Sequence, residues 1–124
     1  MKRVFSEHAP EAIGLYCHAV VVNNMVYTSG QIPLTLEGEI VSEDVREQTE
    51  QVLINLQAVL KDSGASLDSV VKTTIFISDM NDFPIINEAY GTFFTEHLPA
   101  RSCVEVSRLP KDVKVEIEAV ALIH

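Results

Sequence analysis

The chain has 124 residues, of which 18 are Asp or Glu and 9 are Lys or Arg, so its formal net charge is −9. A chain of this length buries one hydrophobic core, and a composition of 47% apolar and 22% charged residues is typical of a globular protein. We therefore expect a single domain over residues 1–124. The acidic balance argues against nucleic-acid binding, because the nine cations form no basic run that could contact phosphates.

Cysteine usage and the apolar runs bear on the compartment. Cys17 and Cys103 lie far apart, and the N-terminus lacks the apolar segment of a signal peptide, so we expect free thiols and a cytoplasmic location. The apolar runs are too short to cross a bilayer, which predicts no membrane association. The histidines and cysteines show no metal-ligand spacing, and glycine-rich nucleotide loops are absent, so no metal or cofactor is predicted.

The first elements are a hairpin and a helix. Two β-rich runs, residues 18–22 and 25–29, are separated by Asn23-Asn24, which tolerate the left-handed backbone of a tight turn. Residues 30–39 then form a loop. Apolar residues follow helical spacing over residues 43–62, which predicts an amphipathic helix.

The remaining elements are predicted from the same two periodicities. Residues 70–78 are β-branched and alternate, as in a central strand, and a second helix begins at Asn81 or Asp82 and is stopped by Pro99. Residues 101–107 and 113–123 alternate again and are predicted to close the chain as a β-hairpin. The resulting order, β-β-α-β-α-β-β, indicates an α+β domain with two helices on one face of a mixed sheet.

Alternation also predicts which side chains of the last two strands share a face. Val104 and Val106 should pack on the helices, which turns Arg101, Cys103 and Glu116 together towards the opposite face. On that opposite face we also expect four apolar side chains, those of Val70, Phe76, Val120 and Leu122. A half-apolar sheet face without helices predicts burial against another subunit.

An arginine and a glutamate on such a face allow two interpretations. One is a structural ion pair, and the other is a site for an anionic substrate, in which the guanidinium binds a carboxylate and the glutamate orients a water molecule. Spacing alone leaves both open. Ser29 and Gly30 follow a strand as an ordinary turn would, Cys103 has no nearby histidine to activate its thiol, and Asn87 is expected at the surface.

Several short segments, taken together, resemble one known family. They are Thr28-Ser29-Gly30-Gln31-Ile32-Pro33, Val71-Lys72-Thr73-Thr74, Asn87 with Tyr90, Pro99-Ala100-Arg101-Ser102-Cys103-Val104 and Val115-Glu116-Ile117-Glu118-Ala119. In order and spacing they resemble the RidA/YjgF family of reactive intermediate deaminases, from about residue 9 to residue 121. The resemblance implies a chorismate-mutase-like fold, a homotrimer with sites between subunits, and hydrolysis of 2-imino acids and their enamines, which limits damage by reactive metabolites.

The same resemblance assigns roles by position. It implies that Arg101 holds the substrate carboxylate, that Glu116 positions the water and that Cys103 supplies main-chain contacts near the reacting carbon. The other pocket positions it implies are Tyr16, Ser29, Gly30 and Asn87. The implied substrates are 2-iminobutanoate and 2-iminopropanoate, and neither metal nor cofactor is required.

Two departures and two rival functions accompany the resemblance. Leu15 stands where many relatives have proline before the tyrosine, and the connection over residues 96–99 is shorter than in some members. One rival is a non-catalytic regulatory trimer that binds small carboxylates or a protein partner. The other is nucleic-acid cleavage, against which the net charge of −9 argues.

Overall fold

A computed structural model describes residues 1–124 as one sheet covered on one face by two helices. The strands are β1 (Lys2–Val4), β2 (Ala19–Val22), β3 (Met25–Thr28), β4 (Val70–Ile77), β5 (Ala100–Glu105) and β6 (Val115–Leu122), and the helices are α1 (Val45–Asp62) and α2 (Phe83–Phe93). The six strands lie in the order β1-β2-β3-β6-β4-β5, and only the β4–β5 pair is parallel. The predicted α+β class, with two helices on a mixed sheet, is confirmed. Neither helix is both long and apolar enough to span a membrane.

The first hairpin and α1 form as the sequence predicts. Asn23 and Asn24 adopt φ angles of 48° and 64°, and Val22 pairs with Met25 across the turn. Helix α1 begins after Asp44, whose carboxylate accepts a hydrogen bond of 2.9 Å from the Glu47 amide and caps the first turn. Strand β1 was not predicted, because three residues are too few to show alternation; it pairs with β2 at the sheet edge.

The core lies between the helices and the sheet. Most of its members are buried apolar residues of α1, α2 and five of the strands. From the sixth strand, β5, only the half-buried Cys103 packs against it. The predicted inward set of β6, Val115, Ile117, Ala119 and Ala121, is buried. Burial of this continuous apolar surface is the main force that holds the two layers together.

Helix α2 is shorter than predicted. It ends at Phe93 rather than just before Pro99, and the amide of the next residue, Phe94, bonds to the Tyr90 carbonyl. His97 therefore lies outside the helix, where its ring nitrogen Nε2 contacts the Val70 carbonyl at 2.5 Å. His97 continues the helical spacing of α2, but between Phe93 and β5 only Phe94 is buried in the core, and it lies in an irregular segment.

The predicted closing hairpin is wrong. Strand β5 pairs in parallel with β4, and β6 pairs antiparallel with both β4 and β3, so that β4 separates β5 from β6. The alternation of residues 101–107 and 113–123 correctly indicates strands, but it carries no information on which strands pair. Helix α2 connects β4 to β5 as a crossover, and this connection is what makes those two strands parallel.

The new pairing changes two predicted faces. Thr73 lies beside Arg101 and Ile75 beside Cys103, so Arg101 and Cys103 face the helix layer, while Val104 is turned to the bare face. A bulge between Val70 and Lys72 also turns Val70 into the core, where it is 1% exposed. The sequence predicts the reverse, with Arg101, Cys103 and Val70 on the bare face and Val104 on the helix side. The apolar side chains of the bare face include Tyr27, Phe76, Val104, Val120 and Leu122.

Candidate active site

The residues predicted to form one site fall into two groups within the chain. Arg101, Asn87 and Cys103 lie together on the helix side of the sheet, at its β5 edge. Tyr16, Ser29, Gly30 and Glu116 lie on the other side. The expectation that Arg101, Cys103 and Glu116 share one neighbourhood is therefore wrong within a single chain, because it rested on a β5–β6 pair that does not form.

The first group, which we call the arginine cluster, consists of Phe83, Asn87, Tyr90, Arg101 and Cys103. Nη1 of Arg101 donates a hydrogen bond of 2.8 Å to Oδ1 of Asn87. The guanidinium carbon lies 5.4 Å from the ring centre of Phe83 and 5.0 Å from that of Tyr90, within the range of cation–π attraction. Arg101 forms no ion pair with any carboxylate of the chain, so most of its N–H groups remain free to bind an anion.

Cys103 is half-buried in this cluster. Burial raises the pKa of its thiol, and the nearby positive charge of Arg101 opposes that rise only in part. A raised pKa keeps the sulfur protonated at neutral pH, and a protonated thiol is a poor nucleophile. The side chain of Cys103 is thus unsuited to covalent catalysis.

The second group, which we call the glutamate hollow, is a depression of about 290 Å³ lined by Tyr16, Ser29, Gly30, Ile32, Pro110 and Glu116. Its carboxyl group is that of Glu116, a half-buried residue of β6. Burial raises the pKa of the Glu116 carboxyl, and the negative charge of Glu118 raises it further. A carboxylate that holds a proton more readily than usual is suited to accept one from a water molecule.

Irregular pairing of β3 and β6 brings Gly30 over this carboxylate. Tyr27 pairs with Val120 and Gln31 with Ile117. The chain thus advances four residues from Tyr27 to Gln31 while β6 spans only three between their partners. The extra residue makes a bulge that includes Ser29 and Gly30. A Cβ atom at Gly30 would overlap the Glu116 carboxylate, so only glycine leaves this side chain its place.

Neighbouring segments fix the rim of the glutamate hollow. Ser29 Oγ donates to the Cys17 carbonyl at 2.7 Å, which ties the end of β3 to the segment that carries Tyr16. The buried His18 accepts from the Ser6 amide through Nδ1, at 2.8 Å, and its Nε2 donates to the Pro10 carbonyl at 2.7 Å. Tyr16 is about half exposed at the rim, and Leu15 beside it is fully exposed.

Sequence reasoning missed a buried amide that supports the segment after Gly30. Asn55, on the buried face of α1, donates from Nδ2 to the carbonyls of Ile32 and Leu34 at 3.1 and 3.0 Å. Its signal in the sequence is a polar residue within the apolar stripe of a helix, where an unpaired amide would be costly. No group of three or more His, Cys, Asp or Glu side chains is placed to hold a metal ion.

The fold and the two groups define an α+β domain that offers a free guanidinium and a half-buried carboxylate. The family model described as endoribonuclease L-PSP matches residues 6–123, and the chain belongs to this family, also called RidA/YjgF. The family prediction is thus confirmed.

Individual relatives match over nearly the whole chain. A RutC family protein of Pyrococcus abyssi is 51% identical over 119 residues, which cover 95% of this chain and 94% of that protein. A 2-iminobutanoate/2-iminopropanoate deaminase of Salmonella typhimurium is 51% identical over 124 residues, which cover 98% of this chain and 97% of that one. The crystal structure of E. coli TdcF with bound serine has a TM-score of 0.94 at 48% identity, with complete coverage of both chains.

Proposed function

We propose that this protein is an enzyme that hydrolyses 2-imino acids to 2-oxo acids and ammonia, with 2-iminobutanoate and 2-iminopropanoate as substrates. The observation that carries the proposal is the 51% identity, over nearly the full length of both chains, to a deaminase named for these two compounds. The residues that we propose to act on the substrate are Tyr16, Ser29, Gly30, Asn87, Arg101, Cys103 and Glu116.

The reaction needs little beyond binding and a base. An iminium carbon is already electrophilic, so Arg101 would hold the carboxylate while Glu116 removes a proton from water as its oxygen bonds to that carbon. The protonated Glu116 then returns the proton to nitrogen in the tetrahedral adduct. The C–N bond breaks and ammonia leaves, and Glu116, again ionised, accepts the hydroxyl proton as the carbonyl group of the 2-oxo acid forms.

The separation of the two groups supports an intersubunit site. A single chain holds Arg101 and Glu116 on opposite faces of the sheet, with β4 between their strands. The bare face carries apolar side chains that a partner would cover, including Tyr27 at 47% exposure and Val104 at 42%. We therefore propose a homotrimer in which the arginine cluster of one subunit and the glutamate hollow of the next form each site.

A mixing experiment tests the reaction and the shared site together. The substrate is generated in place by an amino-acid oxidase, and its decay is followed with the wild type, Arg101→Ala and Glu116→Ala. Arg46→Ala, which removes an arginine paired with Glu88 on the outer surface, is the matched control and should retain full activity. No acceleration by the wild type would contradict the deaminase proposal and favour a carboxylate-binding module.

Arg101→Ala and Glu116→Ala should each be inactive alone. The two variants are then unfolded together and refolded as a mixture. Each mixed trimer regains one of its three sites, so random assembly should restore about one quarter of wild-type activity. A mixture as inactive as either variant alone would show that both residues act from the same chain. Arg101→Ala or Glu116→Ala with full activity would remove that residue from the proposed mechanism.

The family description also raises RNA cleavage, and the charge of the chain argues against it. The net charge is −9, and no Lys or Arg occurs between Thr73 and Ala100, so Arg101 meets its ligand without neighbouring cations from that stretch. One guanidinium suits a small carboxylate, whereas a phosphate backbone needs several cations along its path. The proposed partner is therefore a small 2-imino acid.

A further inference from the structure

One face of α2 is shaped around the side chain of Arg101. Phe83, Asn87 and Tyr90 follow each other at steps of four and three residues, which places them along a single helical stripe. All three contact the guanidinium group, two through their rings and one through an amide oxygen. The sequence predicts Asn87 at the surface, and the family resemblance implies that it is a pocket residue; in the chain its oxygen accepts a hydrogen bond from Arg101.

An arginine at this position needs support to be ready for a ligand. Arg101 lies on the edge strand β5 and is exposed, and no carboxylate restrains it. A long side chain without restraint loses much rotational freedom when it binds, and that loss weakens affinity. Two aromatic rings and one acceptor restrict the guanidinium in advance while they occupy only one of its five N–H groups.

The rings are themselves held in place. Tyr90 is buried, its hydroxyl group lies 2.9 Å from Oγ1 of Thr73, and its ring stacks on Phe94 with ring centres 4.6 Å apart. Thr73 is also the residue of β4 that pairs with Arg101 in the sheet. Thr73 thus positions the backbone of Arg101 through strand pairing and its side chain through Tyr90. The direction of the guanidinium therefore follows from the packing of α2 on β4.

We propose that Phe83 and Tyr90 are positioning residues for Arg101, which hold its guanidinium against α2 so that its free N–H groups face the substrate carboxylate. This inference rests on the proposed function, in which Arg101 binds that carboxylate. The two rings act through Arg101 and touch no reacting atom. Their loss should therefore weaken binding of ground state and transition state alike and leave the chemical step largely unchanged.

The test compares two phenylalanines of the same helix. Phe83 and Phe93 are both half-buried at the two ends of α2, but only Phe83 contacts Arg101. The probe is the stable product 2-oxobutanoate, whose dissociation constant is measured by calorimetry. Phe83→Leu should weaken its binding about 3- to 10-fold and raise KM similarly, with kcat within about twofold, whereas Phe93→Leu should change neither constant.

Conservative variants separate positioning from a merely structural role. Phe83→Tyr keeps an aromatic face for the guanidinium and should restore wild-type binding. Tyr90→Phe keeps its ring but loses the bond to Thr73, so it should fall between the wild type and Phe83→Leu. The proposal would be overturned if Phe83→Leu and Phe93→Leu, both as folded trimers, bound 2-oxobutanoate equally well. It would also be overturned if Phe83→Tyr bound it as weakly as Phe83→Leu.

A double variant distinguishes the failure of this proposal from the failure of the proposed function. If the rings act through Arg101, Phe83→Leu should have no further effect on 2-oxobutanoate binding in an Arg101→Ala background. An equal loss in both backgrounds would overturn the positioning role while leaving the deaminase assignment intact. Full binding by Arg101→Ala alone would instead overturn the carboxylate-binding role of Arg101, and positioning with it.

Discussion

The surroundings of Glu116 differ from those of an ordinary surface carboxyl. Its pKa is raised first by burial and then by the charge of Glu118, two positions along β6. In the proposed mechanism the base must be ionised, so activity is lost as pH falls through this raised pKa. The acid limb of the pH profile should therefore lie above the usual range of a glutamate.

The variant Glu118→Gln tests that account at the level of one charge. It removes the repulsion from a neighbouring carboxylate, so the pKa of Glu116 should fall and the acid limb of kcat/KM should move to lower pH. The shift should be partial, because burial is the larger cause and remains. The measurement is the pH profile of imine hydrolysis with the oxidase-coupled assay.

The matched control for this shift is Glu88→Gln. Glu88 is a carboxylate on the outer face of α2, where it pairs with Arg46 at 3.0 Å. Its removal should leave the acid limb where the wild type has it. An acid limb that stays fixed in Glu118→Gln, or that moves equally in both variants, would mean that Glu116 is not the titrating base.

Helix α2 links the scale of residues to that of elements, because it both covers the core and presents the stripe that holds Arg101. Its start was predicted correctly from sequence at Asn81 or Asp82, and the proline at position 84 is tolerated because it lies in the first helical turn. Its C-terminal end was not, because His97 extends the helical spacing past Phe93. Periodicity reports which side chains are buried and cannot report where the backbone stops being helical.

A glycine within α2 offers a test of helix stability apart from the site. Gly91 is exposed, and a Cβ atom added there would meet nothing within 4 Å. Gly91→Ala should raise the free energy of unfolding by about 0.5–1 kcal/mol, because alanine loses less backbone entropy in a helix. Chemical denaturation measures the change, and activity should be unaltered; a less stable Gly91→Ala variant would contradict this prediction.

At the scale of the whole molecule, one sheet face has a helix layer and the other has none. Tyr27, Val104 and Leu122 expose apolar surface on the bare face, and Phe76, the neighbour of Val104, is only partly covered. Several exposed apolar side chains on one uncovered sheet face are typical of an interface. The proposed trimer would cover it and, at the same time, complete each site.

Val104→Lys should separate the subunits without unfolding the chain. Val104 lies on the edge strand β5 and contributes nothing to the buried core, whereas a lysine there would place a charge in the proposed interface. We expect a monomer by light scattering, native-like circular dichroism and loss of imine hydrolysis, because neither group of site residues suffices alone.

The control for that variant is Ile54→Lys on the outer surface of α1. Ile54 is 49% exposed, close to the 42% of Val104, but it lies on the far side of the helix layer. The Ile54→Lys variant should retain both the oligomeric state and the activity of the wild type. A Val104→Lys protein that keeps its oligomeric state would show that the bare face is not the interface, and a monomer with full activity would place the site within one chain.

The sequence by itself determined most of the local structure and the chemistry of the site residues. The Asn23-Asn24 turn, the capped start of α1 and the inward alternation of β6 are short-range properties, set by backbone preferences and by which side chains avoid water. The segments that carry Arg101 and Glu116 were specific enough to indicate the family. None of these features depends on how distant strands pair.

Only the tertiary structure decided which strand lies beside β5, and therefore which way Arg101 points. An alternating strand has two distinguishable faces but gives no information on its neighbour, so a β5–β6 hairpin and a parallel β4–β5 pair fit the same pattern. The parallel pair brings Arg101 onto α2 and removes it from Glu116 in the same chain. The physical reason is that pairing is settled by the path of α2 over the sheet and by burial of the whole core, which no local pattern encodes.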